Sequence, residues 1–357
     1  MKNGKLIIAC AGAGKTTQLV SDVLSLGEEK RVLITTFTDS NIDTIKNKFI
    51  KKLAYVPENI RIMPIYSFEL KELIKPYLLP FIKSDIRKIL MVPQKERCWK
   101  SNNEKYYLYG NGIYKDKISE LAFRTVKASS RTIKRLSEIF DYIFLDEAQD
   151  LAGYDLDLMV KFAQSGFKIT LYADPRQSTF KTSNGSKNSG FRDICDYLRK
   201  KAPSYFDIGE NTLNGSQRCP GSVMKVASQL FPMYPQSSGT KAIGNIYLVE
   251  KSKCDDFLRQ HPKCQGLCRN RRCKTDGIGI PFKNIGVSKG ATYESTLLII
   301  PPAWVKCIIN GDFSGMVNTP KSLADLYIAL TRSLGDVGIV TDTSTIVSCK
   351  NMDVKVF

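Results

Sequence analysis

The stretch ACAGAGKTT at residues 9–17 constrains this chain more than any other feature. Gly14-Lys15-Thr16 fits the end of the phosphate-cradling pattern Gly-x4-Gly-Lys-[Ser/Thr], with Ala9 in place of the first glycine. The physics survives that change. Gly12 and Gly14 let backbone N–H groups around Ala13 turn inward on phosphates, and a helix opening at Lys15 points its positive end at them. Lys15 can then neutralise β- and γ-phosphates and Thr16 can hold Mg²⁺, with Thr17 in the same turn. Alone, such a run could be a chance glycine turn. The surrounding KLIIACAGAGKTTQLVSDVLSL, however, reads as strand, tight loop and helix, which is the context the pattern requires.

A second stretch, IFLDEAQD at 143–150, strengthens the reading. An apolar strand ending in Asp146-Glu147 puts one carboxylate where it can hold Mg²⁺ and the next where it can activate water. The plainer alternative is an acidic helix cap. It does not explain why the acids follow a second buried strand in a chain that already carries a phosphate loop.

The remaining pattern gives the fold class, α/β with mainly parallel sheets in two domains. RVLITTF (31–37), RIMPIYSF (61–68) and FKITLYADPRQ (167–177) read as strands. SNIDTIKNKFIKKL (40–53) reads as a helix capped by Ser40. From 69 to 125 the texture changes to lysines, tyrosines, Pro93 and YGNG, the mark of an inserted subdomain. KTSNGSKNSG (181–190) reads as a surface loop. A second block holds GSVMKVASQLF as helix and GNIYLVE, QGLCRN, ESTLLIIP and VGIVTD as strands. The expected domains are 1–68 with 126–204, the insertion 69–125, and 205–357.

On these residues the chain resembles the UvrD/Rep-type superfamily 1 helicases. Beyond the phosphate loop, TTFTDSNIDTIKNKF (35–49) resembles motif Ia, IYSF (65–68) the motif after it, and DEAQDLAGYDLDLM motif II. ADPRQSTF (173–180) resembles motif III, LNGSQRCPGSVMKVA (213–227) motif IV, NIGVSKGATYESTLLI (284–299) motif V and LYIALTRSLGDVGIV (326–340) motif VI. The resemblance implies two RecA-like P-loop NTPase domains with ATP and Mg²⁺ in the cleft between them. It implies movement on single-stranded DNA, 3′ to 5′. Gln177 would sense the γ-phosphate, and Arg218 and Arg332 would be arginine fingers. Phe37 and Phe180 sit where the family stacks bases, Tyr66 where it usually has a histidine, and Lys289 within motif V would contact the strand. Each phenylalanine by itself is equally well read as a core side chain.

The departures from the family are informative. Motifs IV and V are separated only by 228–283, which leaves no room for the family's large second-domain insertion. Gln217 stands where a base-stacking tyrosine is usual, and Thr292 where a ribose-side glutamate is usual. No adenine-recognising glutamine motif is expected upstream of the phosphate loop. The phosphate-side groups are kept and the nucleoside-side groups are changed.

Charge agrees with a polyanionic partner: 53 basic against 35 acidic residues give +18. Runs such as Lys46, Lys48, Lys51 and Lys52, Arg131, Lys134 and Arg135, and Arg269, Arg271, Arg272 and Lys274 could track phosphates or be solvated faces. Nothing in them reads the sugar, so RNA stays open beside DNA. Two rival readings remain: a translocase that unwinds little without a protein partner such as a nuclease or replication factor, and a nucleotide-gated binding module. Ten cysteines in a chain this long do not form a disulfide framework, which points to a reducing interior; the cytoplasm, in a bacterial or phage context, is the expected location. Cys254, His261, Cys264, Cys268 and Cys273 lie close in sequence without a Cys-x-x-Cys pair, and ordinary buried thiols are the expectation over zinc. The apolar part of the opening residues is too short for a signal peptide, and no run reaches the roughly twenty residues of a membrane span.

Overall fold

The computed structural model describes residues 2–357 apart from 93, 95–97, 99–100, 183–184, 210–212, 271–272, 274 and 318. The chain divides into two compact units. The first comprises Met1–Ile8, Lys15–Pro175 and Phe180–Thr212, and the second Ala9–Gly14, Arg176–Thr179 and Leu213–Phe357.

The first unit contains β1 (Gly4–Ile8), β2 (Val32–Thr36), β3 (Ile60–Pro64), the short β4 (Lys88–Leu90), β5 (Leu108–Tyr109) and β6 (Gly112–Tyr114), then β7 (Tyr142–Leu145), β8 (Lys168–Ala173) and β9 (Phe206–Ile208). Six of these form one sheet in the order β3-β2-β7-β8-β1-β9. Every neighbouring pair in it is parallel. All five residues of β2 are buried, as expected of a β-branched run covered on both faces. Because the strands are parallel, their C-terminal ends share one edge, where open α/β sheets bind ligands. Residue 9, Phe37, Ile65, Asp146 and Asp174 each follow a strand there.

The helices of this unit are α1 (Lys15–Leu24), α2 (Asp39–Leu53), α3 (Ile65–Phe68), α4 (Ile118–Ala128), α5 (Ser130–Ile139), α6 (Tyr154–Gln164) and α7 (Ile194–Lys201). Ser40 is not the cap of α2. Thr38 takes that place, its hydroxyl accepting from the Asn41 amide at 3.2 Å, which leaves Ser40 already inside the first turn. The strand expected through 68 stops at Pro64, which sits at the N-cap of α3 and lacks the N–H a further ladder bond would need.

Inside the expected insertion lies a separate three-stranded sheet, β4-β6-β5. β9, beyond residue 204, pairs with β1 and so joins the first sheet; the second unit resumes at Leu213. A three-residue strand whose partner lies at the other end of the domain gives no local periodicity to read.

Two acids of the first unit are buried against each other. Glu69 opens a π-helical turn after α3, and Asp155 lies in the first turn of α6; both are fully buried. Among the described residues, none of their four carboxyl oxygens meets a partner at normal hydrogen-bond geometry. Burial raises Glu69 well above the usual carboxylate range, and the neighbouring Asp155 adds to the rise. Burial also lifts Asp155 from 3.8 to about 6, against the pull of Glu69, Thr182 and Lys115. A carboxyl group whose folded pKa is raised binds its proton more tightly folded than unfolded, so its contribution to stability declines as pH rises from about 4 through 6 and beyond. Glu69→Gln keeps the shape and gives Asp155 an N–H donor. The variant should melt about 2–4 °C higher than the parent at pH 8 and nearly level with it at pH 4.5. Equal shifts at the two pH values would dismiss the raised pKa values as the cause.

The second unit contains β10 (Gly215–Pro220) paired with β11 (Ser238–Thr240), and β12 (Ile246–Glu250), β13 (Cys264–Cys268), β14 (Phe282–Asn284), β15 (Ser295–Ile299), β16 (Val337–Thr341) and β17 (Val354–Val356). The last six form a sheet in the order β14-β13-β15-β16-β12-β17, again parallel throughout. Around it lie α8 (Gly221–Gln229), α9 (Cys254–Gln260), α10 (Pro302–Asn310) and α11 (Pro320–Leu330). Val249, Cys254, Phe257, Ile278 and Leu297 form part of its core. Among the described residues no helix is long and apolar enough to cross a membrane.

Candidate functional site

In the first unit, β7 and β8 are neighbours and β8 lies beside β1, so the acids after β7 face the start of α1. Thr16 Oγ1 donates to Asp146 Oδ2 at 2.8 Å, and Lys15 Nζ pairs with Glu147 Oε1 at 2.8 Å. The four side chains expected to act together are therefore together. Burial works against the Lys15 charge, but Glu147 and Asp146 outweigh it and hold the ammonium charged well above the ordinary lysine range. Burial raises Asp146, opposed by Lys15 and the Thr16 hydroxyl. Glu147 itself sits at φ 58°, ψ 35°, the left-handed region that a side-chain-bearing residue adopts only when held there.

The first turn of α1 leaves its leading N–H groups without partners inside the helix, a ready anion site. The Thr16 hydroxyl and Asp146 carboxylate are hard oxygen donors converging on one point, which suits Mg²⁺ that draws its remaining ligands from phosphate and water. Thr17 Oγ1 accepts from Lys48 Nζ at 2.7 Å, and Ser21 Oγ from Lys52 Nζ at 2.7 Å. Half of that basic run thus ties α2 to α1, while Lys46 and Lys51 are exposed.

The glycine turn itself belongs to the second unit. Gly12 and Gly14 have φ of 73° and 82°, as the expected turn requires. A Cβ on Gly12 would lie 2.5 Å from Arg218 Cβ, so only glycine fits. Gln217 N–H donates to Gly12 O at 2.8 Å, Cys10 N–H to Leu213 O at 2.9 Å, and Ala11 N–H to the Tyr327 hydroxyl at 3.1 Å. Tyr327 was not among the expected site residues; its place in LYIALTR, five positions before Arg332, was the available signal.

In the same unit Arg332 is 1% exposed. Its guanidinium donates to Gln177 Oε1 at 3.1 Å, Ile328 O at 3.3 Å and Ala291 O at 3.4 Å. Arg218 is half-buried and donates to Thr331 O at 3.3 Å. Gln177 and Arg332, from two separate sequence motifs, are thus in direct contact.

Of the residues expected on the strand, Phe37 is half-buried and Phe180 is 55% exposed. Tyr66 is only 7% exposed. Its hydroxyl donates to Thr182 O at 3.4 Å, its ring stands edge-on to Phe37 at 6.5 Å, and the Lys115 ammonium lies 5.3 Å from the ring centre. Tyr66 is thus largely enclosed, with its ring edge-on beside the more exposed Phe37. Lys289 is half-buried in the loop after β14. Arg135 pairs with Glu72 at 2.8 Å, and Arg269 packs over Trp304. Arg271, Arg272 and Lys274 lie outside the described residues.

Among the described residues no group of three or more His, Cys, Asp or Glu can hold a metal ion. His261 Nδ1 lies 2.8 Å from Phe257 O and Nε2 2.9 Å from Asp336 Oδ2, with the ring stacked on Phe257. Burial pushes the Cys254 and Cys264 thiols up to about 11. Cys254 and Cys268 are buried and Cys264 and Cys273 partly buried, all as free thiols.

No protein-family model matches the chain, and no curated protein does. Solved structures do. The crystal structure of arterivirus nonstructural protein 10, a helicase, superposes with a TM-score of 0.50 at 14% identity, covering 98% of this chain and 62% of that one. Its complex with DNA gives 0.51 at 15%, covering 98% and 63%. The chain shares the fold of those two structures. It consists of two RecA-like α/β domains with mainly parallel sheets, and it spans less than two thirds of the length of those structures.

Proposed function

We propose that the chain is a nucleoside-triphosphate-driven motor on single-stranded nucleic acid: an ATP- and Mg²⁺-dependent helicase or translocase of UvrD/Rep type. DNA is the expected strand and 3′ to 5′ the expected direction, both by the resemblance. The observation that carries the reading is the meeting of Lys15 with Glu147 and of Thr16 with Asp146. Two distant sequence motifs thereby supply a phosphate cation, a metal-binding pair and a base at one sheet edge. A neighbouring fold solved with DNA supports the choice of partner.

In this reading Gly12, Ala13, Gly14, Lys15, Thr16 and Thr17 hold the triphosphate, and Thr16 and Asp146 hold Mg²⁺. The ion would neutralise β- and γ-phosphate oxygens. Glu147 takes a proton from the water whose oxygen bonds to the γ-phosphorus, and the bond to the β–γ bridging oxygen breaks to leave the diphosphate and phosphate. Gln177 senses the γ-phosphate, while Arg218 and Arg332 stabilise the charge that develops there. Phe37, backed by Tyr66, and Phe180 offer rings for stacking, and Lys289 a phosphate contact.

The primary test is triphosphate hydrolysis with and without single-stranded DNA or RNA. Stimulation by a strand is expected; turnover indifferent to both strands would favour the gated binding module. Strand affinity should fall at least roughly tenfold between 50 and 200 mM salt, as three or more phosphate contacts require. Phe180→Ala should weaken binding by about 1–3 kcal/mol at either salt, because stacking is not ionic. A flat salt profile removes the basic track, and an unaffected Phe180→Ala removes the stacking role.

Base selectivity should be weak. Gln217 and Thr292 stand where the family has a stacking ring and a ribose-side carboxylate, and each such contact is worth about 1 kcal/mol. GTP should therefore support strand-stimulated hydrolysis with kcat/KM within about tenfold of ATP. A far larger preference for ATP would mean another residue reads the base.

A further inference from the structure

Glu147 is gripped at both carboxylate oxygens. Lys15 holds Oε1 at 2.8 Å, and the Gln149 side-chain amide N–H donates to Oε2. Gln149 is itself buried, and its own Oε1 accepts the backbone N–H of Asp174 at 3.0 Å, just past the end of β8. That second bond fixes the orientation of the amide. Rotated by 180°, it would set an NH₂ against the Asp174 N–H and an oxygen against the Glu147 carboxylate, losing both bonds at once. The backbone of one strand end thus dictates that a donor faces the acid after the neighbouring strand.

We propose that Gln149 is a positioning residue for hydrolysis. It keeps the Glu147 carboxylate aimed while Lys15 exchanges that carboxylate for phosphate. The proposal rests on the triphosphatase reading above. Lys15 cannot serve Glu147 and a phosphate with the same N–H bonds. When it turns to phosphate, Oε1 is released to accept a proton from water and Oε2 stays held by Gln149. Without Gln149, Glu147 would lose a neutral side-chain donor fixed by a strand backbone, and its left-handed backbone would be less constrained. A reacting group that wanders loses much of the benefit of its placement.

The test is a double-mutant cycle in the full chain. Gln149→Met keeps the length of the side chain and removes both hydrogen bonds. It should lower strand-stimulated kcat about 10- to 100-fold, with KM for ATP changed less than about threefold. In a Glu147→Gln background the same substitution should cost almost nothing further, because the group it positions no longer takes a proton. A structural role would lower kcat by the same factor in both backgrounds, and that result overturns the proposal. Melting temperatures of the four proteins without nucleotide give an independent reading. The shifts should fail to add if the two side chains hold each other, and additivity within about 1 °C would overturn the proposal as well. If Gln149→Met does not fold, Gln149→Asn, too short to reach both partners, takes its place in the cycle. A parent without turnover overturns the triphosphatase reading and the proposal with it; a parent that turns over while Gln149→Met keeps full kcat overturns the proposal alone.

Discussion

Replacing Glu147 by Gln should leave a protein that binds triphosphate and hydrolyses it about 10²- to 10³-fold more slowly. An amide in the same place cannot take a proton from water, and positioned general bases contribute factors of this order. Binding should be kept or even tightened. In the parent the Lys15 ammonium is engaged by Glu147 at 2.8 Å, and triphosphate must compete for it. Glu147→Gln removes the charge that holds Lys15 and frees the cation for phosphate. Lys15→Ala should behave in the opposite way. It removes a charged donor from the phosphates, a loss of about 1.5–3 kcal/mol, and leaves Glu147 without its cation. Affinity for a fluorescent ATP analogue and kcat, measured on both variants, separate the two roles. Near-parent turnover in Glu147→Gln would take the base assignment away from this residue.

The parts of this site that could be read from the sequence are those carried by residue type at fixed local spacing. Gly12, Gly14, Lys15 and Thr16 had to form a turn and a helix start, and Asp146-Glu147 had to follow a buried strand. The structure places all of them so. What could not be read depends on partners far away in the chain. Gln149 looks like any polar residue in DEAQD until the backbone of Asp174 is seen to orient it. Tyr66 stands where the family usually has a histidine, and its contacts with Thr182, Phe37 and Lys115 come from parts of the chain that the motif does not show. The Glu69–Asp155 pair has no local signature, since one acid opens a π-helical turn and the other a helix of ordinary acidic first turn. The same holds for β9, whose parallel pairing with β1 shifted the expected domain boundary. Short-range errors had short-range causes: Thr38 outcompeted Ser40 as a cap, and Pro64 ended a strand.

The two arginines should be alike in catalysis and unlike in stability. If both stabilise charge on the transferring phosphoryl group, Arg218→Ala and Arg332→Ala should each lower kcat about 10³-fold, the lower range for an arginine finger. Their surroundings predict different side effects. Arg332 is almost wholly buried and donates to Gln177, Ile328 and Ala291. Truncating it leaves three acceptors without that donor and a cavity of guanidinium size, which should destabilise the protein by about 3 kcal/mol or more. In a domain of this size that is a fall of roughly 6–12 °C in melting temperature. Arg218 is half-buried, and among the described residues its guanidinium makes one long bond, to Thr331 O at 3.3 Å. Its loss should move the melting temperature by less than about 2 °C. Arg218→Ala is therefore the cleaner probe, because a fall in kcat there cannot be blamed on unfolding. Arg332→Lys supplies the matching control, since it retains charge but not the planar fork that reaches several acceptors. It should recover part of the stability and little of the rate. If Arg218→Ala hydrolysed triphosphate at the parent rate, the arginine would be a tie to the Thr331 carbonyl and no more. If the folded fraction of Arg332→Ala turned over normally, Arg332 would be a structural strut for Gln177, and the developing charge would have to be met by Lys15 and Mg²⁺ alone.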